Sequence, residues 1–139
     1  MLDASGLLPH QRTARLLTQV LRHDADAIEA VGVIPASHPL ANRAGAPNFL
    51  ALELGAQAAA VLEALSRQGA AGGGGPRVGY LVRVRDAAFS AGVLPVGVPL
   101  SVTAVLEGAA PPLAMYKITV TDGEEPLATA LLSTYSEGS

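Results

Sequence analysis

Apolar positions along the chain change period at the glycine run, and the change marks an element boundary. From Phe49 to Gln68 the run FLALELGAQAAAVLEALSRQ keeps apolar residues on almost every side for its first four turns. Pro47 and Asn48 precede it as turn and cap, and Gly69 follows as a stop. At 1.5 Å per residue such a helix is about 30 Å long, and one that is apolar all round is enclosed by protein. Beyond the glycine run the period becomes two. Tyr80, Val82 and Val84 alternate with Leu81, Arg83 and Arg85. Leu100–Glu107, Ala114–Val120 and Leu127–Tyr135 continue in the same manner, with Asp122-Gly123 as a hairpin signal before the last run.

The first third reads two ways. Ala14, Leu17 and Leu21 are spaced as on a helix, so periodicity alone favours a short helix over Thr13–Arg22. If Arg15–Arg22 is instead a strand, it forms a hairpin with Ala27–Pro35 through a turn at His23–Asp26. One long helix with five or six antiparallel strands is an α+β layout, and wrapping the sheet about the helix buries it economically. A single domain over residues 1–139 is expected, with an N-terminal segment (1–12) and a Gly-rich connector (69–77).

Composition narrows the function classes. Half of the 139 residues are hydrophobic and only 15% are charged, so the chain has enough apolar material to fold. A net charge of −3 and 4% aromatics leave little for binding phosphates or stacking bases, so nucleic acid is not expected as a partner. The apolar runs are too interrupted for a membrane helix, and no secretory signal is evident, so a cytoplasmic protein is expected. With no cysteine and three scattered histidines, neither a disulfide nor a metal centre is expected, and no cofactor is implied. Gly72–Gly75 follows a helix and precedes a strand, the reverse of a phosphate loop, and reads as a tether.

Two residues carry candidate chemistry. Glu53 shares a helix face with Gln57, four positions on. A carboxylate in so apolar a helix is costly unless partnered, so Glu53 either reaches a rim or is kept for acid–base work. Gln57 either satisfies a buried polar neighbour or touches substrate. His38 stands in the loop ASHPLANRAGAPN, 15 positions before Glu53, and is either solvated or catalytic.

LLPH, HPL with ALELGAQAAAV, GYLVRVRD, PLSVTAVL and YKITVTDGE, in that order, resemble the hotdog-fold 3-hydroxyacyl-acyl-carrier-protein dehydratases, and most closely the ApeP-like branch. The sequence carries HPLA where the better-known branch has HFPG, and Asn48 where that branch has a second glycine. The resemblance implies a hotdog fold and makes the first third a strand hairpin. It also implies dehydration of a 3-hydroxyacyl thioester, on acyl carrier protein or coenzyme A, to the trans-2-enoyl product, in a fatty-acid or aryl-polyene type pathway. His38 would remove the α-proton and Glu53 would protonate or hold the leaving hydroxyl. Backbone N–H groups near Asn48 and Phe49 would stabilise the thioester oxygen, and Ala58 or Val61 would flank the acyl chain. Sites of this family lie between the subunits of a homodimer. A thioesterase on the same fold, or a non-catalytic subunit of another hotdog protein, are the rival readings.

Overall fold

The computed structural model describes residues 2–3, 15–68, 79–90 and 92–136. The Gly-rich connector, and all of the N-terminal segment except Leu2 and Asp3, lie outside them.

Ten elements follow in the order β1 (Leu2–Asp3), β2 (Leu17–His23), β3 (Ala27–Gly32), β4 (Ala46–Pro47), α1 (Leu50–Gln68), β5 (Gly79–Phe89), β6 (Val93–Leu94), β7 (Leu100–Ala110), β8 (Leu113–Asp122) and β9 (Glu125–Ser136). Seven strands form one antiparallel sheet in the order β1-β2-β3-β7-β8-β9-β5. With the two-residue β1 set aside, one helix packs against a six-stranded antiparallel sheet, the α+β hotdog architecture.

Alternation dictates the central strands. In β7 the inward residues Leu100, Val102 and Ala104 are fully buried while Ser101 and Thr103 between them are not, and β8 repeats this with Tyr116, Ile118 and Val120. Gly123 turns β8 into β9 with φ 60°, the left-handed value a two-residue hairpin loop needs at its first position. Helix α1 crosses this inner face, with most of its contacts on β3, β7 and β8. Gly55 permits the close approach: a Cβ there would stand 2.8 Å from the Cγ1 and Cδ1 atoms of Ile118.

Residues 17–32 form a strand hairpin, against the helical spacing of Ala14, Leu17 and Leu21; Thr13 and Ala14 lie outside the described residues. Register shifts between Leu17 and Gln19 and between Val20 and Arg22 are the cause. They set the buried Leu17 and Val20 three positions apart instead of two. Bulges thus imitate a helical period in a strand.

The helix is only half wrapped. Leu54, Ala58, Ala59, Val61 and Leu62 are buried against the sheet, whereas Leu52, Glu53, Ala56, Ala60 and Glu63 are partly open and Phe49 is 51% exposed. At the end of the sheet, residues 81–88 of β5 are exposed on both faces, including Leu81, Val82 and Val84. An open apolar helix flank and an apolar edge strand are surfaces that folded chains ordinarily cover. Among the described residues, no helix is long and apolar enough to cross a membrane.

Candidate active site

The loop from β3 to α1 is a succession of tight turns. The His38 N–H donates to the Pro35 carbonyl at 2.9 Å, and the Ala41 N–H donates to the His38 carbonyl at 2.9 Å. Asn42 and Gly45 exchange backbone bonds of 2.8 and 3.1 Å, and the Asn42 side chain accepts the Ala44 N–H at 2.8 Å. Strand β4 then pairs with β6, which clamps the entrance to the helix. Gly45 makes the clamp possible: its φ is 131°, and a Cβ would lie 2.4 Å from the Leu94 carbonyl oxygen. These turns carry the chain from half-buried His38 to Asn48 and Phe49, where α1 begins.

Glu53 lies in the first turn of α1, where the helix dipole favours a negative charge. Gln57 Nε2 donates to Glu53 Oε1 at 3.2 Å. The other end of the same amide faces the sheet: Gln57 Oε1 accepts the N–H groups of Leu16 and Leu17 at 2.9 and 3.0 Å. Gln57 is wholly buried, as are Leu16 and Leu17 to within 1%. The amide therefore orients the carboxylate on one side and pins the start of β2 on the other. The helical spacing of four that joins Glu53 to Gln57 is legible in the sequence; the partners of the amide oxygen, some 40 residues away, are not.

The expected site residues fall into two groups. Asn48, Phe49 and Glu53 share the open N-terminal end and flank of the helix, with the His38 loop leading into it. Ala58 and Val61 are 0% exposed and belong to the core, and Gln57 is closed off with its amide engaged, so none of these three lines the open flank. Leu52, Ala56 and Ala60 line it instead. Their spacing of four was the signal for this stripe, hidden because neighbouring positions are apolar too. Within the chain, His38 and Glu53 bond to different partners: the Leu40 N–H donates to His38 Nδ1 at 3.1 Å, and Glu53 holds Gln57.

The apolar run of α1 holds a second carboxylate, Glu63. Glu63 Oε1 accepts the Tyr116 hydroxyl at 2.7 Å and the Thr134 hydroxyl at 3.0 Å. Both donors are buried side chains of the sheet, which ties the later part of α1 to β8 and β9. An open depression of about 260 Å³ lies near the β2–β3 turn, lined by Arg22, His23, Glu29 and Thr103 among others, and none of the site residues borders it. Among the described residues, no group of three or more acidic or histidine side chains is arranged to hold a metal ion.

The backbone matches solved structures. The dehydratase heterocomplex ApeI:P from Xenorhabdus doucetiae aligns with a TM-score of 0.89 at 20% identity, over 99% of this chain and 93% of that one. A hypothetical thioesterase with coenzyme A from Streptococcus pneumoniae aligns with a TM-score of 0.64 at 11% identity, covering 86% and 85%. The PaaI protein of the Escherichia coli phenylacetic acid degradation operon gives 0.63 at 13%, covering 84% and 81%. At these identities the likeness is one of fold. No curated protein sequence matches the chain. The family model described as ApeP dehydratase matches residues 2–138, and the chain belongs to this ApeP-like family.

Proposed function

We propose that the chain is a hotdog dehydratase that removes water from a 3-hydroxyacyl thioester, carried on acyl carrier protein or coenzyme A, to give the trans-2-enoyl product. A cytoplasmic fatty-acid or aryl-polyene type pathway would supply such a substrate. One observation carries this reading: a carboxylate in the first turn of the helix, on its open apolar flank, held in orientation by a buried amide. Elimination requires a base for the Cα proton, an acid for the departing hydroxyl, and donors for the thioester oxygen. His38 supplies the first and Glu53 the second. The N–H groups at the start of α1 supply the third. Leu52, Ala56 and Ala60 offer the acyl chain an apolar wall.

The same open flank supports a two-subunit site. A second hotdog subunit, seated along β5 and the helix stripe, would cover Leu81, Val82, Val84 and Phe49 and bring His38 of one subunit toward Glu53 of the other. That partner is a second copy of this chain or a related subunit; the matched ApeI:P structure is a heterocomplex. Light scattering at micromolar concentration is expected to show a dimer, and a monomer with no hotdog partner would refute the shared site.

The decisive assay incubates the protein with 3-hydroxyacyl thioesters of several chain lengths and follows enoyl absorbance and free thiol together. Dehydration raises the first alone. Glu53→Gln is expected to lower its rate about 100-fold or more, the usual worth of a positioned acid or base, with substrate binding retained. Thiol release without enoyl formation would establish the thioesterase reading. Absence of both reactions would leave the non-catalytic subunit.

A further inference from the structure

Three elements change from apolar to polar around one cluster. On the open flank of α1, Leu52, Ala56 and Ala60 give way to Glu63, which follows Ala56 by about two turns and Leu52 by about three. On the inner face of β8, Val120 and Ile118 give way to Tyr116, and on that of β9, Ala130 and Leu132 give way to Thr134. Tyr116 pairs with Leu132 and Thr134 with Ala114, so the two hydroxyl residues are diagonal neighbours on one face. Both hydroxyls donate to a single carboxylate oxygen, Glu63 Oε1, at 2.7 and 3.0 Å. With Tyr116 and Thr134 themselves buried, the carboxylate is held at the end of the stripe and does not swing out into water.

An acyl chain laid on an apolar stripe gains with every methylene it buries. A carboxylate ends that gain, because hydrocarbon pressed against it strips water from the charge and returns no hydrogen bond. We infer that Glu63, held by Tyr116 and Thr134, is the far stop of the acyl-binding flank and limits the substrate to acyl chains of medium length. The inference deepens the proposed function and rests on it for where the acyl chain lies.

The helix sets the length. Glu53 marks the level of the reacting carbons C2 and C3, and Glu63 has the same side chain further along the same helix. The two carboxylates are therefore about 15 Å apart along the axis. Van der Waals contact with the stop takes up about 3.5 Å of this. An extended hydrocarbon advances about 1.25 Å per carbon, the projection of a bond of about 1.5 Å, so about nine carbons fit beyond C3 and about twelve in all.

Alkanoyl-pantetheine amides carry the arm common to acyl carrier protein and coenzyme A, and they neither dehydrate nor hydrolyse. Calorimetry with a series of them on the full chain reads the acyl site without turnover. Wild-type affinity is expected to rise about 4-fold per methylene up to about twelve carbons and to stop rising there. Combining Glu63→Leu, Tyr116→Phe and Thr134→Val exchanges the whole hydrogen-bonded cluster for apolar groups of similar shape, which spares the fold. This triple variant is expected to bind a chain of about fourteen carbons about 10-fold more tightly than wild type, a gain that vanishes for chains too short to reach the cluster. Glu63→Gln keeps an acceptor for both hydroxyls and should keep the limit. A purely structural tie would leave the profile unmoved, so a folded triple variant with the wild-type limit would overturn the inference. Wild-type affinity that climbs unbroken to about sixteen carbons would do the same. Ala60→Leu leaves the cluster intact and fills the stripe one turn before the stop; it should lower the limit by about four carbons, and an unchanged limit would count against the stop. If the limits move as expected while no hydroxyacyl thioester is dehydrated, the dehydratase reading fails and the stop stands. If dehydration is seen and the limits do not move, the stop fails and the dehydratase reading stands.

Discussion

Replacing Gln57 by leucine is a sharp test of how the candidate site is supported. The substitution keeps most of the volume and removes the amide. It leaves the Leu16 and Leu17 N–H groups, now bonded at 2.9 and 3.0 Å, without their acceptor in a region that is 1% exposed or less. Each unsatisfied buried donor costs about 1–3 kcal/mol, so two cost about 2–6 kcal/mol. The extra apolar side chain returns about 1 kcal/mol, which leaves a net loss of about 1–5 kcal/mol. Unfolding entropy of about 2.1 cal/mol/K per residue implies about 3.4 °C per kcal/mol for 139 residues, hence a fall in Tm of about 3–17 °C. Urea titration should move the midpoint at nearly constant slope. Gln57→Glu separates the two ends of the amide. It keeps an acceptor for both N–H groups but sets a second carboxylate against Glu53. A urea midpoint for Gln57→Glu above that of Gln57→Leu would assign the larger share to the two N–H groups, and one below it to the carboxylate pair. A loss below about 1 kcal/mol in Gln57→Leu, together with a raised KM, would refute the structural assignment and return Gln57 to the substrate.

Two further substitutions probe the packing of helix on sheet. Gly55→Ala puts a methyl group 2.8 Å from Ile118 Cγ1 and 2.9 Å from its Cβ, and the latter atom cannot rotate away. Overpacking of about 1–3 kcal/mol should exceed the gain of about 1 kcal/mol in helix propensity, so chemical denaturation should show a net loss. Ile118→Val in the same chain should recover part of it, and a stabilised Gly55→Ala would disprove the close approach. Tyr116→Phe deletes one of the two hydroxyl bonds to Glu63 and should cost about 1–2 kcal/mol with the dehydration rate unchanged. A lost rate at unchanged stability would place Glu63 in the chemistry.

Local rules decide what an isolated segment can settle by itself. The α1 helix is legible because Pro47 and Asn48 open it, Gly69 follows it, and nothing between breaks it. Strands β7, β8 and β9 are legible because a side-chain period of two survives wherever the ladder stays regular. The β8–β9 hairpin is legible because Asp122-Gly123 supplies the positive φ that the turn demands. Glu53 stands out for the same kind of reason: a carboxylate in an apolar helix must have a partner, and Gln57 one turn later is that partner.

The tertiary structure decided what depends on distant neighbours. Two bulges hide β2 from any count of periods, since only pairing with β3 locates the extra residues. The sequence shows a helix apolar on all sides, but which side meets the sheet depends on Gly55 admitting Ile118, so Ala58 and Val61 went inward while Ala56 and Ala60 stayed open. The oxygen of Gln57 found its donors some 40 residues away, and Glu63 found hydroxyls 53 and 71 residues away. A sequence specifies each group's need for a hydrogen-bond partner or for burial. Only the folded chain, by bringing remote segments within about 3 Å, determines which group meets that need.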